Sequence, residues 1–315
     1  MNDKKRHHFV PKAYLKAFTN GKGRVHVYRK DEPGTVLTVS PDGTGFERYY
    51  YSQPTPEEGT DHNRLEDMFS GIEGKWPQIV ERIGKGENVN DVLPEIFEFI
   101  ILQRVRVPAS RDATEARLRG QVKSVFRDLL AKGFLPPPPA SLRGRLDDVV
   151  VSIDPHKSIH GMVEDIQAAK AVFERIGLSA VRNNTSIPFL TSDNPVTWFD
   201  PSKPSEDIEP YGISKRDPVL LLFPISPSLL ILGATDYMNI FARHGLQHSE
   251  TREINWVKQI NEQICRFAYK AVYASALGQE EMIVRHAGKS PVWEQTGAKG
   301  KLVFGERSTK LKWQK

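Results

Sequence analysis

Chemistry in this chain would have to come from scattered polar groups: the tandem imidazoles His7-His8, the glutamates Glu66 and Glu73, the Asp193-Asn194 pair, Gln103, Arg104, Arg106 and Asn261. The sequence holds no Gly-x-Ser-x-Gly elbow, no Gly-x-x-x-x-Gly-Lys phosphate loop and no His-Glu-x-x-His zinc helix. Histidine changes charge nearest neutral pH, so His7 or His8 suits proton transfer or a hydrogen bond to phosphate at the start of a helix. His62, Glu66 and Glu73 recur at four and seven residues, which puts them along one helix edge. With Asp193, these glutamates form an oxygen donor set of the kind that Mg²⁺ or Mn²⁺ prefers. Gln103, Arg104 and Arg106, near a helix end, could take an anion, and Asn261 is a polar group beside an apolar stripe. Each group also has a plain structural reading: helix caps, glutamate–arginine pairs, and a turn in which Asp and Asn before Pro bond their own backbone.

The elements that must carry these groups follow from hydrophobic period. Val10, Tyr14, Leu15 and Phe18 repeat at helical spacing after Pro11, which sets the two histidines just before a short helix. Residues Arg24 to Lys30 alternate as a strand with Val36 to Val39 as hairpin partner. From Leu65 through Phe69, Ile72, Trp76 and Val80 to Ile83 one apolar stripe predicts a single continuous helix; a second runs from about Asn90 to Val105, and a third from about Arg111 to Lys132. Pro136 to Pro139 make a stiff exposed connector, within residues 134–146. Another helix is predicted over 159–176. It is followed by strands near 178–182, 187–190, 196–199, 219–223 and 229–232, a surface excursion over 200–217, a helix over 254–268 and a short strand over 271–274.

The length of 315 residues, 39% hydrophobic and 26% charged, exceeds what a single small core needs and excludes a disordered chain. The most apolar stretch, Pro218 to Ala234, is divided by Pro224 and Pro227, so it reads as two buried strands around a turn and not as a membrane span. The opening residues lack the apolar core of a secretory signal, and Cys265 stands alone, which together favour the cytoplasm. Net charge is +5. Its basic residues gather between Ile101 and Arg145 and again after Lys299, which would suit a nucleic acid partner, although solvated helix faces produce the same tally.

The run His7-His8-Phe9-Val10-Pro11-Lys12-Ala13-Tyr14-Leu15-Lys16-Ala17-Phe18 resembles the His-His-x-Val-Pro-x-x-Tyr-Leu-x-x-Phe opening of a large microbial family defined as a domain of unknown function. Further matches follow in order: Tyr50-Tyr51-Ser52, Leu65-Glu66, Ile72-Glu73, Gln103 with Arg106, Thr191-Ser192-Asp193-Asn194-Pro195, Phe223-Pro224-Ile225-Ser226-Pro227 and Ile260-Asn261. The resemblance brings no reaction with it, but it implies that these dispersed polar residues belong to one assembled site. The expectation is an α+β fold, mainly helical with a mixed or antiparallel sheet, in one domain over 1–294 with a basic, poorly ordered tail over 295–315. For function, it is a metal-dependent phosphodiesterase or nuclease with His7, His8, Asp193 and Asn194 catalytic, Glu66, Glu73 and Asp193 on Mg²⁺ or Mn²⁺, and Gln103, Arg104, Arg106 and Asn261 on substrate. The alternative is a non-catalytic module that binds nucleic acid or protein.

Overall fold

The segment Leu-Leu-Leu-Phe-Pro-Ile-Ser has apolar residues on both faces of a strand, which demands a cover on each side of its sheet. In the computed structural model, which describes residues 5–55, 59–142, 144–146, 149–154, 159, 161–294 and 301–306, that cover is present. The chain is α+β. Strands β7 (Gly177–Asn183), β9 (Thr197–Phe199), β10 (Leu220–Ser226), β11 (Leu229–Ala234) and β12 (Gln247–Thr251) form a five-stranded sheet in the order β12-β7-β11-β10-β9. All its pairings are antiparallel except β12 with β7. Leu221, Phe223, Ile225, Leu229 and Ile231 point into one core, shared with Trp76, Ile96, Phe99 and Ala169; Leu222, Leu230 and Leu232 point into a second, shared with Val257, Ile260 and Ile264. The period of two therefore sends alternate residues to helices on opposite faces.

The first core is built by helices α2 (Arg64–Glu73), α3 (Trp76–Gly84), α4 (Leu93–Val105) and α6 (Met162–Phe173), and the second by α8 (Ile254–Phe267). A four-stranded antiparallel sheet runs β3-β2-β13-β8, from Val36–Val39, Val25–Arg29, Ala271–Ala274 and Thr191–Ser192. Lys30, at the end of β2, is 3% exposed and donates from Nζ to the carbonyls of Cys265 (2.9 Å) and Ala268 (2.8 Å). A cation is thereby buried at the C-terminus of α8, where the helix dipole favours it. Helix α7 (Met238–His244) ends in Gly245 at φ 69°, and a Cβ there would meet Asn90 Oδ1 at 2.0 Å. Glycine is required at that position because Asn90 caps the helix end, donating to His244 O at 2.9 Å and accepting from Leu246 N at 3.1 Å.

Several expectations need correction. The continuous stripe from Leu65 to Ile83 is two helices, α2 and α3, interrupted at Gly74-Lys75; Pro77 lies in the first turn of α3, where it is tolerated, and would have broken a continuous helix. His7 and His8 do not adjoin the helix start after Pro11 but are set back from it on a strand. They lie on β1 (Arg6–His8), paired with β4 (Phe46–Arg48), and helix α1 (Lys12–Leu15) is only four residues long. The run β10 does not stop before Pro224 but passes through it to Ser226 with a bulge, the turn falling at Pro227-Ser228. Helix α5 begins at Pro108, which is its first residue, and reaches Ala131. Lys301–Glu306, expected to lack structure, is strand β15, antiparallel to β14 (Lys289–Glu294), and Phe304 packs edge-on against Phe267 at 5.4 Å. The remainder of the expected tail, 295–300 and 307–315, and Arg143 of the connector lie outside the described residues.

Candidate functional site

The C-terminal end of α4 gathers most of the polar groups singled out above. Arg106, 1% exposed at the helix C-cap, pairs through Nη1 with Glu73 at the end of α2 and donates through Nη2 to the carbonyl of His8. Its own carbonyl accepts from Tyr51 Oη at 2.8 Å, and its guanidinium lies 4.7 Å from the ring of Phe69. The backbone N–H of Tyr51 donates to His7 Nδ1 at 2.8 Å, and the two rings stack at 5.8 Å. Burial works against the charge of Arg106, but Tyr51 and Glu73 outweigh it and raise the pKa above the ordinary arginine value. Burial likewise pushes the Tyr51 phenol up to about 12, with Arg106 opposing and the charges of Glu66 and Glu73 adding to the rise. His7, His8, Tyr51, Glu66, Glu73 and Arg106 thus share one neighbourhood assembled from β1, the turn after β4, α2 and α4.

His8 differs from the others in what it leaves open. It is 6% exposed, and its ring lies 5.5 Å from Phe46. One ring nitrogen bonds the backbone of Asp42, and Nε2 has no hydrogen-bond partner among the described residues. Since Nε2 is buried and without a partner, the bond to Asp42 belongs to Nδ1–H, which leaves a bare lone pair on Nε2. Burial and the nearby charge of Lys12 lower the pKa of His8 from 6.5 to about 4, against the raising effect of Asp42. The sign for stability follows: an unfolded histidine takes its proton as pH falls through 6.5, whereas the folded one waits until about 4. The contribution of His8 is therefore greatest above pH 6.5, declines between 6.5 and 4, and is level below, a span on the order of 3 kcal/mol. Urea unfolding at pH 7 and at pH 4.5 should show wild type losing more stability than His8→Gln, and equal losses would contradict the buried neutral imidazole.

Asp193 sits on the other side of the same helix end, with its carboxylate turned onto backbone amides. Its carboxylate accepts from Tyr269 N at 2.9 Å and Lys270 N at 2.7 Å, and its backbone N–H donates to Ala271 O at 3.1 Å. Burial raises its pKa, and the amides partly offset this. Asn194 donates to Phe267 O at 2.9 Å and accepts from Tyr211 Oη at 2.7 Å, while neighbouring Thr191 meets the Tyr14 hydroxyl at 2.6 Å. Asn261 holds Leu190 N (2.9 Å), Pro188 O (2.9 Å) and Gln279 Oε1 (2.8 Å), so it braces the chain leading into the turn and is apart from His8. The expected oxygen donor set does not fit a divalent ion: among the described residues no three His, Cys, Asp or Glu side chains are placed to share one. Asp193 faces backbone amides and Glu73 faces Arg106, so both carboxylates already have partners.

Arg104 joins the two sides. Its guanidinium carbon lies 3.8 Å over the Tyr211 ring and 5.4 Å from Trp198. Gln103, just before Arg104 along the helix, is fully buried with neither amide atom hydrogen-bonded among the described residues. Residues that sequence reasoning did not reveal are Tyr211 and Asp42; Tyr51 and Ser52 were marked only by the resemblance, and Ser52 Oγ lies 2.6 Å from Nδ1 of His62, which spacing did single out. The backbone does mark two places: among the described residues Tyr49 at φ 55° and Tyr211 at φ 63° are the non-glycine residues in the left-handed region, and both flank this helix end.

One family model matches the chain, over residues 6–276. No curated protein and no solved structure matches it.

Proposed function

Because the chain belongs to the family described as "Protein of unknown function (DUF4238)", its own geometry must supply the reading, and we propose that it acts on phosphodiesters of nucleic acid at a site over His8. The observation that carries this is the arrangement around Asp42, whose carboxylate lies 3.1 Å from both Arg6 Nη1 and Lys12 Nζ, while its backbone holds the His8 ring. An internal carboxylate between two cations stands where a phosphate of the same charge would be held. Arg6, Lys12 and Asp42 are each about half exposed, and ion pairs so placed contribute roughly 0–1 kcal/mol. A phosphodiester displaces Asp42 at little cost. Its oxygens then lie between Arg6 and Lys12 beside His8, whose unpartnered Nε2 is shut off from solvent until Asp42 is displaced, and its negative charge raises the pKa of that imidazole toward neutrality. In hydrolysis, water forms the new P–O bond and gives a proton to Nε2; the P–O bond to the leaving oxygen breaks, that oxygen takes a proton from solvent to leave as an alcohol, and the imidazolium returns its own proton to solvent. Arg106 positions His8 through the carbonyl and does not clamp substrate. Mg²⁺ or Mn²⁺ would supply further charge neutralisation, but its binding would require Glu73 to exchange Arg106 for the ion.

The alternative, a non-catalytic nucleic-acid-binding module, is favoured by one observation, the commitment of Glu73 and Asp193 to structural partners. A single experiment separates the readings. Binding of labelled single-stranded RNA and DNA is followed by fluorescence anisotropy against salt, and cleavage of the same strands is followed in EDTA, Mg²⁺ and Mn²⁺. Asp42→Asn is expected to bind severalfold more tightly and His8→Gln to bind but not cut. Binding without cutting by wild type under every condition leaves the module; neither binding nor cutting removes both. The reading goes with a cytoplasmic setting, given the single buried Cys265, and among the described residues no helix is long and apolar enough to cross a membrane.

A further inference from the structure

We propose that Arg104, laid on the ring of Tyr211, is a subsite for an oxyanion, either a phosphate or a carboxylate, separate from the Asp42 site and independent of whether the protein cuts nucleic acid. Every other arginine near the end of α4 is occupied: Arg106 has Glu73 and the His8 carbonyl, and Arg111 has Glu115 and the carbonyl of Tyr50 at 2.7 Å. Arg104 has only aromatic rings. Its Nε and Nη1 are buried with no hydrogen-bond partner, and no carboxylate pairs with it among the described residues. A guanidinium always carries charge, and its N–H groups are expensive to remove from water unless an acceptor replaces the solvent. Asp193, the acid that Tyr211 senses, is turned onto the amides of Tyr269 and Lys270 and offers it nothing.

The surroundings are built to hold the guanidinium in place. Tyr211 is fixed in the left-handed region at φ 63°, where its N–H donates to Trp198 O at 2.7 Å and its hydroxyl to Asn194 Oδ1 at 2.7 Å. Its ring meets that of Trp198 edge-on at 5.0 Å. A tyrosine adopts that backbone conformation only where its surroundings impose it, and here the result is a ring face presented to Arg104. Stacking leaves the edge of the planar guanidinium, and its N–H groups, for an acceptor in the ring plane, which is the geometry in which arginine takes carboxylates and phosphates. Residue Arg104 as a whole is only partly buried, but Nε and Nη1 are shut off from solvent, so an anion reaches them by parting the side chains that lie over them.

The test is protection of Arg104 from phenylglyoxal, read by peptide mass spectrometry, together with calorimetric titration by inorganic phosphate, acetate and a nucleoside monophosphate. We expect phosphate or acetate to slow modification of Arg104, the two arms telling which oxyanion is preferred. Arg104→Gln should weaken the titrated binding about 10- to 100-fold, the loss of one charge-assisted contact. Tyr211→Phe, which keeps the ring, should retain binding. If Arg104→Gln does not fold, the protection assay on wild type decides alone. The proposal is overturned if no anion protects Arg104, or if Arg104→Gln binds as wild type does while Arg6→Gln with Lys12→Gln abolishes binding. That last result would assign the anion to the Asp42 site and leave the phosphodiester reading standing.

Discussion

Arg106→Met is expected to lower stability by about 3–5 kcal/mol, the cost of removing one partner from a buried ion pair. Three dependents lose their contact together. Glu73, with a side chain 18% exposed, keeps its charge without a counterion; the His8 carbonyl loses its donor; and the stacked Phe69 loses the cation over its face. The loss corresponds to a fall in melting temperature of roughly 5–15 °C for a chain of this size. Arg106→Lys should fall between, because an ammonium cannot reach Glu73 and His8 in the planar fork that arginine uses. Glu73→Gln should cost less than Arg106→Met, since an amide oxygen still accepts from the guanidinium. In a double-mutant cycle the pair should show a coupling of about 1–3 kcal/mol. Thermal unfolding of the four proteins measures it, and an Arg106→Met variant within 1 kcal/mol of wild type would mean that β1, α2 and α4 are held together by their apolar contacts alone.

This buried pair also shows how far the chain can be read without its fold. Glu73 opposite an arginine of the second helix was a legible alternative to metal binding, because both residues lie at helix ends on faces flanked by apolar side chains. The central strands were legible for a related reason: burial on both sides leaves an unbroken apolar run in β10 and β11. Strand β12, Gln247–Thr251, carries no such signal, since it is an edge strand whose side chains are largely exposed. The division of α2 from α3 was hidden because the apolar stripe continues in phase across Gly74-Lys75, where the backbone keeps right-handed dihedrals and only the regular helix is interrupted. At the site, the histidines and the Asp193 turn announce themselves by residue type. Tyr51 and Tyr211 do not, because their roles depend on a backbone conformation and on partners far along the chain. Arg104 is the extreme case: its character lies in having no acid beside it, and spacing cannot express that.

Asp193→Asn should destabilise the protein by about 2–4 kcal/mol, although it preserves shape almost atom for atom. The carboxylate is 1% exposed and uses one oxygen for Tyr269 N–H and the other for Lys270 N–H. An asparagine has a single acceptor oxygen. Whichever way its amide turns, an NH₂ faces a backbone N–H, so two donors are left in contact and the buried amide is unsatisfied. The consequence spreads because this turn ties the end of α8 to β13, and β13 is the central link between β2 and β8. Asp193→Ser should be milder if a water fills the space and serves both amides. The decisive measurement is amide hydrogen exchange: in Asp193→Asn, protection should fall first at Tyr269, Lys270 and Ala271, before the helices of the first core respond. Retained protection at those amides, with a loss of nucleic acid cleavage and no loss of stability, would reverse the assignment and make Asp193 a reacting group. A loss confined to stability identifies it as the clasp that keeps Asn194, Tyr211 and Arg104 in register.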